Sequence, residues 1–278
     1  MTLDLTLSAE HDVSSDLDLM LDAAQAAGKL ALQYWKRPLK WERKADGSVV
    51  TEADLAVNAL LEERLRTPRP HYGWLSEESA DTPARLARER VWLLDPIDGT
   101  HAFFKGSEEW TVALSLIERG RPVAAVVYNA VHGEVFSALR GQGARLNGKR
   151  IRTTSATLIE GARLMAADGV LRKPIWREPW PPVEVVRVAS LAYRLAFVAC
   201  GRADAAFALT PRSEWDVAAG ALLVEEAGGS ATTHLGEALT FNQPVPVAPG
   251  FLTAGKNLHK ILADRIRLGL NEIPQRDV

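Results

Sequence analysis

Cysteine is almost missing from this chain: among 278 residues only Cys200 carries a thiol, so no intrachain disulfide can form. In its apolar stretch Cys200 reads as a small buried hydrophobe. No apolar run approaches the roughly 20 residues that a membrane-spanning helix needs. The first residues, MTLDLTLSAEHD, are acidic and lack the basic-then-apolar pattern of a secretory leader, so a cytoplasmic protein without a membrane partner is expected. No block of Lys and Arg marks a groove for a nucleic-acid polymer, and 33 basic against 35 acidic residues leave a net charge of −2. The six histidines form no H-E-x-x-H or H-x-x-E-H pairing, which argues against zinc. No serine sits in a G-x-S-x-G elbow, so a hydrolase triad has no support. What is present is a hydrophobic fraction of 47%, ample for a large core in one domain or two joined lobes. An enzyme and a binding protein both fit that composition.

The periodicities divide the chain into two halves. Ser15 and Asp18 make a capping pattern, and Leu17, Met20, Leu21, Ala24, Ala27, Ala31 and Tyr34 follow at helical spacing to about Trp35. A polar loop, Lys44-Ala45-Asp46-Gly47-Ser48, precedes a second capping pattern at Thr51 and Asp54, whose helix ends at Pro68. His71 to Leu75 reads as a short strand, and Val91 begins another. Val112, Leu114 and Leu116 then alternate, Val123–Tyr128 and Glu134–Ala138 are further strands, and Asn147-Gly148 marks a hairpin. Residues 1–150 therefore read as an α+β lobe with helices on a mostly antiparallel sheet. Between Asp168 and Val183 a Pro-rich excursion carries Trp176 and Trp180, placed as a rim over the site and a wall for a base or ring. Beyond it, a helix over Ser190–Cys200, a strand over Asp204–Leu209 and a helix from about Trp215, capped by Ser213 and closed by Gly228-Gly229, suggest an α/β lobe over 151–278. The site is expected between the lobes of one structural unit.

Asp95-Pro96-Ile97-Asp98-Gly99-Thr100 is the most informative stretch. It follows the apolar run Val91–Leu94, a buried strand delivering its end to a Pro/Gly-marked loop. Two carboxylates held close repel unless a cation or proton lies between them, and Mg2+ is a hard cation that prefers such oxygens. Thr100 would cap a short helix, whose first amides, those of Gly99, Thr100 and His101, would suit phosphate. Glu77 and Asp216 are the other acids at predicted element ends. Alone, Glu77-Glu78 reads as a solvated turn, and Asp216 as the capping partner of Ser213. Together with Asp95 and Asp98 they would make a multi-metal phosphoryl-transfer centre if their loops converge. Gly143–Arg150, GARLNGKR, only mimics a P-loop: it ends in Arg and lies in a hairpin.

These residues resemble the inositol monophosphatase superfamily of Mg2+-dependent, lithium-sensitive phosphatases. Its D-P-I-D-G-T signature with a following Phe matches Asp95–Thr100 with Phe103. Its G-E-E segment matches Ser76-Glu77-Glu78, and its W-D-x-A-A-G signature matches Trp215–Gly220. An upstream pattern matches Lys44, Asp46, Ser48, Val50, Thr51, Ala53 and Asp54, so four motifs occur in order between about residues 15 and 265. The resemblance implies an α/β fold, a layered αβαβα sandwich. It also implies two to three Mg2+ ions, with Mn2+ as a substitute and Li+ or Ca2+ as inhibitors. Glu77, Asp95 and the Ile97 carbonyl would hold one ion, and Asp95, Asp98 and Asp216 a second. A third, weaker ion would lie near Glu77. A water oriented by Glu77, and by Thr100 hydrogen-bonded to Asp54, would attack a small-molecule phosphate ester in line, without a phosphoenzyme. Monomers and homodimers both fit.

Three departures stand out: the first affects turn geometry, the second removes one loop contact, and the third bears on the substrate. Ser76 stands where the family has Gly, and Ala102 where Asn or Glu is common. Across Ala206–Glu214 no acid occupies the place of the Glu that grips sugar hydroxyls in the inositol enzymes, and Arg212 is available. Loss of a polyol clamp and gain of a cation favour a second phosphate on the substrate. The Lys44 to Asp54 pattern and the E-W-T-V-A-L-S-L stretch from Glu109 also look like the bacterial 3'(2'),5'-bisphosphate nucleotidase branch, which acts on 3'-phosphoadenosine 5'-phosphate in sulfate assimilation. The alternatives are an inositol or related polyol phosphatase and a catalytically silent metal- or phosphate-binding protein. A haloacid-dehalogenase-type phosphatase needs D-x-D, and Asp95 to Asp98 is one residue too long.

Overall fold

The computed structural model describes residues 13–44, 47–167 and 169–271. Ala45, Asp46, Asp168 and the N-terminal dodecapeptide lie outside the described residues, and with them Asp46 of the Lys44–Asp54 motif.

In the first half, α1 (Val13–Tyr34) is followed by a hairpin of β1 (Trp41–Arg43) and β2 (Val49–Thr51), then α2 (Glu52–Arg66). A seven-stranded sheet follows. It contains β3 (Gly73–Ser76), β4 (Arg90–Asp98), β5 (Thr111–Glu118), β6 (Arg121–Asn129), β7 (Glu134–Leu139), β8 (Gly143–Leu146) and β9 (Lys149–Arg150), in that spatial order. Only β3 and β4 pair in parallel. The short helix α3 (Thr100–Phe104) leaves the end of β4. The second half contributes β10 (Arg163–Met165), β11 (Glu184–Val185), α4 (Leu191–Ala199), β12 (Ala205–Ala208), β13 (Arg212–Ser213), α5 (Glu214–Glu226), β14 (Gly229–Thr232), β15 (Val247–Ala248), β16 (Phe251–Gly255) and α6 (Lys256–Asn271). Its five-stranded sheet runs β11-β10-β12-β16-β14.

Side-chain alternation along the strands builds the layers. On β4, Trp92 and Leu94 face a core shared with α1 and α2, whereas Val91 and Leu93 face a core shared with α4 and α5. On β12, Ala206 and Ala208 join that second core, and Ala205 and Phe207 meet Leu258, Leu262 and Ile266 of α6. The order is α1/α2, sheet, α4/α5, sheet, α6, which is the αβαβα sandwich. Where α4 crosses α5, a Cβ on Gly220 would lie 2.3 Å from the Leu195 side chain, so only glycine permits this approach. No described helix is long and apolar enough to cross a membrane.

Several local expectations change. α1 is already helical at Val13, and Ser15 and Asp18 are exposed, so they do not start it. Asp16 is the anchoring acid instead: fully buried, it accepts from Arg69 Nε at 2.7 Å and Tyr72 Oη at 2.8 Å. β4 does not stop before Asp95 but runs through Asp98, with the ladder register shifting between the two aspartates. Pro96 has no N–H to give a ladder, and a bulge is where a strand tolerates it. Trp176 and Trp180 form no rim. They pack edge to face on each other, and Trp180 stacks on Phe207 beneath α6, because indoles of this size fill the outer core.

Candidate active site

Each acid is delivered by an element end. β4 carries Asp95 and Asp98 on either side of its bulge. β3 ends just before Glu77, whose N–H donates to the Leu94 carbonyl at 3.2 Å and locks it beside β4. Asp216 lies in the first turn of α5. Oxygens of Glu77, Asp95 and Asp216 lie within 4.8 Å of one another, the one such acidic group among the described residues. Asp95 is 3% exposed. Burial, and then the charges of Glu77, Asp98 and Asp216, push its carboxyl well above the ordinary range. Burial and the charges of Asp98 and Glu77 raise Asp216 likewise, against Arg212 and Lys44. Such a set is unfavourable as bare anions and matches what a hard divalent cation needs, all-oxygen donors with uncompensated charge. Lys44 lies at the edge, donating to Glu77 at 2.8 Å and Glu78 at 2.7 Å. Burial pushes the Glu78 carboxyl up to about 7 even against the pull of Lys44.

Asp98 is placed differently. It lies close enough for its charge to act on Asp95 and Asp216, yet its oxygens accept hydrogen bonds from the start of α4. The donors are Ser190 Oγ at 2.6 Å, Leu191 N at 3.1 Å and Ala192 N. The Ser213 hydroxyl makes no capping bond at the start of α5, although it occupies the cap position. Asp216 is thus turned to the acidic cluster and not to a local cap.

Thr100 opens α3 after Gly99, whose φ of 94° is left-handed and suits glycine. The Thr100 hydroxyl lies 2.9 Å from Asp54 Oδ1 and 3.0 Å from the Ile97 carbonyl. Asp54 is itself fixed by the capping box of α2, accepting from Thr51 N at 2.8 Å and from the Thr51 hydroxyl. By the geometry of any helix start, the first amides of α3 lack a partner one turn back. The His101 side chain is exposed.

Arg212 is half-buried on β13, with Nη1 donating to Thr210 Oγ1 at 3.0 Å and the Pro211 carbonyl at 2.7 Å. It lines a cavity of about 490 Å³ together with Glu109, Arg187 and Arg194, between walls that include Ala166, Ala167 and Val186. Trp176 and Trp180 are not among the lining residues. Burial lowers the Arg194 guanidinium from its usual value, and the nearby Arg212 charge adds to this. Ser190, Glu109, Arg187 and Arg194 are polar residues of this region that sequence reasoning did not assign. Ser190 was visible only as the start of a helical pattern, since its partner lies 92 residues away.

Residues 12–268 match the inositol monophosphatase family. The chain belongs to that family. It is 32% identical over 231 residues to the Nus factor SuhB of Escherichia coli, covering 79% of this chain and 85% of that protein. It is 33% identical over 230 residues to inositol monophosphatase 2 of Solanum lycopersicum, covering 77% and 85%. The solved IMPase of Thermotoga maritima superposes with a TM-score of 0.81 at 25% identity, covering 93% of this chain and 99% of that one. Inositol monophosphatase family members are metal-dependent phosphatases that use Mg2+, and this chain is accordingly a metal-dependent phosphoric monoester hydrolase acting on a small-molecule phosphate ester.

Proposed function

We propose that the enzyme removes phosphate from a substrate bearing a second anionic group, with 3'-phosphoadenosine 5'-phosphate as the lead candidate. The observation that carries this is Arg212: it faces a cavity shared with Arg194 and Arg187, and its charge reaches the carboxylate of Asp216. Guanidinium groups match phosphate geometry through paired N–H donors.

In this reading Glu77, Asp95, Asp98, Asp216 and the Ile97 carbonyl hold two to three Mg2+ ions, with Mn2+ as a substitute and Li+ or Ca2+ as inhibitors. When bound, the ions lower the pKa of a water and offset charge on the phosphoryl oxygens. The protein supplies orientation. The Thr100 hydroxyl has one proton, directed to Asp54 or to the Ile97 carbonyl, so its oxygen keeps a lone pair to accept from a water. Glu77 is a second acceptor for that water. The amides of Gly99, Thr100 and His101 cradle the phosphate, and Arg212 takes the distal anion. No aspartyl-phosphate forms. A cytoplasmic monomer or homodimer without a nucleic-acid or membrane partner fits the net charge of −2.

Purified enzyme in Mg2+ should show a higher kcat/KM for 3'-phosphoadenosine 5'-phosphate than for inositol 1-phosphate. A clear preference for the inositol ester would overturn the nucleotide assignment. It would favour the second reading, a polyol-phosphate phosphatase, which the likeness to the Solanum enzyme supports.

A further inference from the structure

Asp98 is the carboxylate that the acidic cluster does not account for, and its surroundings are unusually complete. We infer that Ser190 is a positioning residue: with the first amides of α4, it turns Asp98 so that only Oδ1 has a lone pair left for a cation. This rests on the reading of Asp98 as a metal ligand. Oδ2 accepts both the Ser190 hydroxyl, at 2.6 Å, and Ala192 N, while Oδ1 accepts Leu191 N at 3.1 Å. A carboxylate has about four lone-pair sites, so three are filled.

The direction of the Ser190 hydroxyl is itself fixed. Its oxygen accepts from Tyr193 N at 3.0 Å and lies 3.0 Å from Thr111 Oγ1. A hydroxyl has one proton and two lone pairs. With the proton given to ionised Asp98, the lone pairs go to the Tyr193 N–H and the Thr111 O–H. Ser190 and Thr111 are both fully buried, so no bulk water competes. Glu109 brackets the same turn, accepting Ser190 N on its carbonyl at 3.2 Å and Ala189 N on its carboxylate at 2.9 Å. A helix start from the second half of the chain is thus pinned onto strand β5 of the first, and Asp98 is aimed by both.

The test reads Mn2+ binding to metal-free protein by calorimetry, with thermal unfolding as the fold control. Ser190→Gly removes the hydroxyl while keeping a residue tolerated at a helix cap. It should weaken Mn2+ binding by about 10-fold or more, the loss typical when a partner of a metal ligand is removed. Ser190→Thr should bind as wild type does, and Ser190→Gly should cost nothing further in an Asp98→Ala background. If glycine unfolds the helix, Ser190→Ala reads the same quantity. Wild-type affinity in a folded Gly or Ala variant would overturn the proposal. So would a Thr variant as weak as Gly, or an equal loss without Asp98. Wild-type affinity in Asp98→Ala alone would instead remove the ligand assignment on which it rests.

Discussion

Two helix starts in this molecule hold a site acid, and they do so by opposite means. At α2 the acid is local: Asp54 follows the cap Thr51 by three residues, and the two bond each other reciprocally. At α4 the acid is imported: Asp98 bonds a helix start whose cap residue, Ser190, lies 92 residues further along the chain. The chemistry is the same, an anion against free amides. The consequence differs. The local acid fixes a hydroxyl, Thr100, within its own half of the protein. The imported acid welds the two halves together at the site. Asp204, away from the acidic cluster and next to strand β12, shows what a bonded cation adds. It accepts Arg163 N at 2.8 Å and also pairs with the Arg163 guanidinium. Burial alone would raise its carboxyl, but these bonds win and it titrates below the usual range. Asp98, with no cation bonded to it, is raised by burial despite its three donors.

The largest effect expected from breaking this arrangement is at the acid that serves no helix. Asp95→Asn should lower kcat/KM in Mg2+ by more than about 100-fold, beyond the loss expected for a residue that only supports a ligand. Asp54→Asn should reduce kcat by about 10- to 100-fold through Thr100 while leaving Mn2+ affinity near wild type. An equal loss of both would mean that Asp54 acts on the metals and that the two helix starts are not distinct in role. Thr51→Ala should cost about 1 kcal/mol in urea unfolding, the usual penalty for a lost cap.

The smallest effect is at Asp204. Its folded carboxyl lies below its unfolded value, so its stabilisation is present above the unfolded pKa and is lost as pH falls through the folded one. Asp204→Asn should therefore be less stable than wild type at pH 7 by at most about 1 kcal/mol for a partly exposed pair. The gap should close in acid below about pH 3.9. A gap that persists at low pH would assign the effect to packing.

How legible each feature was in the sequence follows the same division. Thr51 with Asp54, the alternation of β5 and β6, and the Asn147-Gly148 hairpin were all readable, because each is decided by neighbours within a few residues. Asn147 and Gly148 both have positive φ, as their dipeptide implies. The acids Glu77, Asp95 and Asp216 were readable as motifs, but their convergence within 4.8 Å depends on the layering of the whole chain. Ser190 carried no local signal for Asp98. Trp176 and Trp180 misled, since an aromatic run among prolines looks like a rim until α6 is placed over it. α6 itself has Leu258, Leu262 and Ile266 at a four-residue spacing, all fully buried.

The close crossing at Gly220 sets a boundary for anyone wishing to redesign this enzyme for a bulkier substrate. With Leu195 seated against that glycine, α4 and α5 behave as one block, and the block carries both the donors to Asp98 and Asp216 itself. Enlarging the chamber by shifting either helix would spoil the chemistry together with the fit. Ala166 and Ala167 line the same cavity and belong to neither helix, so they are the wall to vary first, whereas Val186 packs against the α4/α5 core.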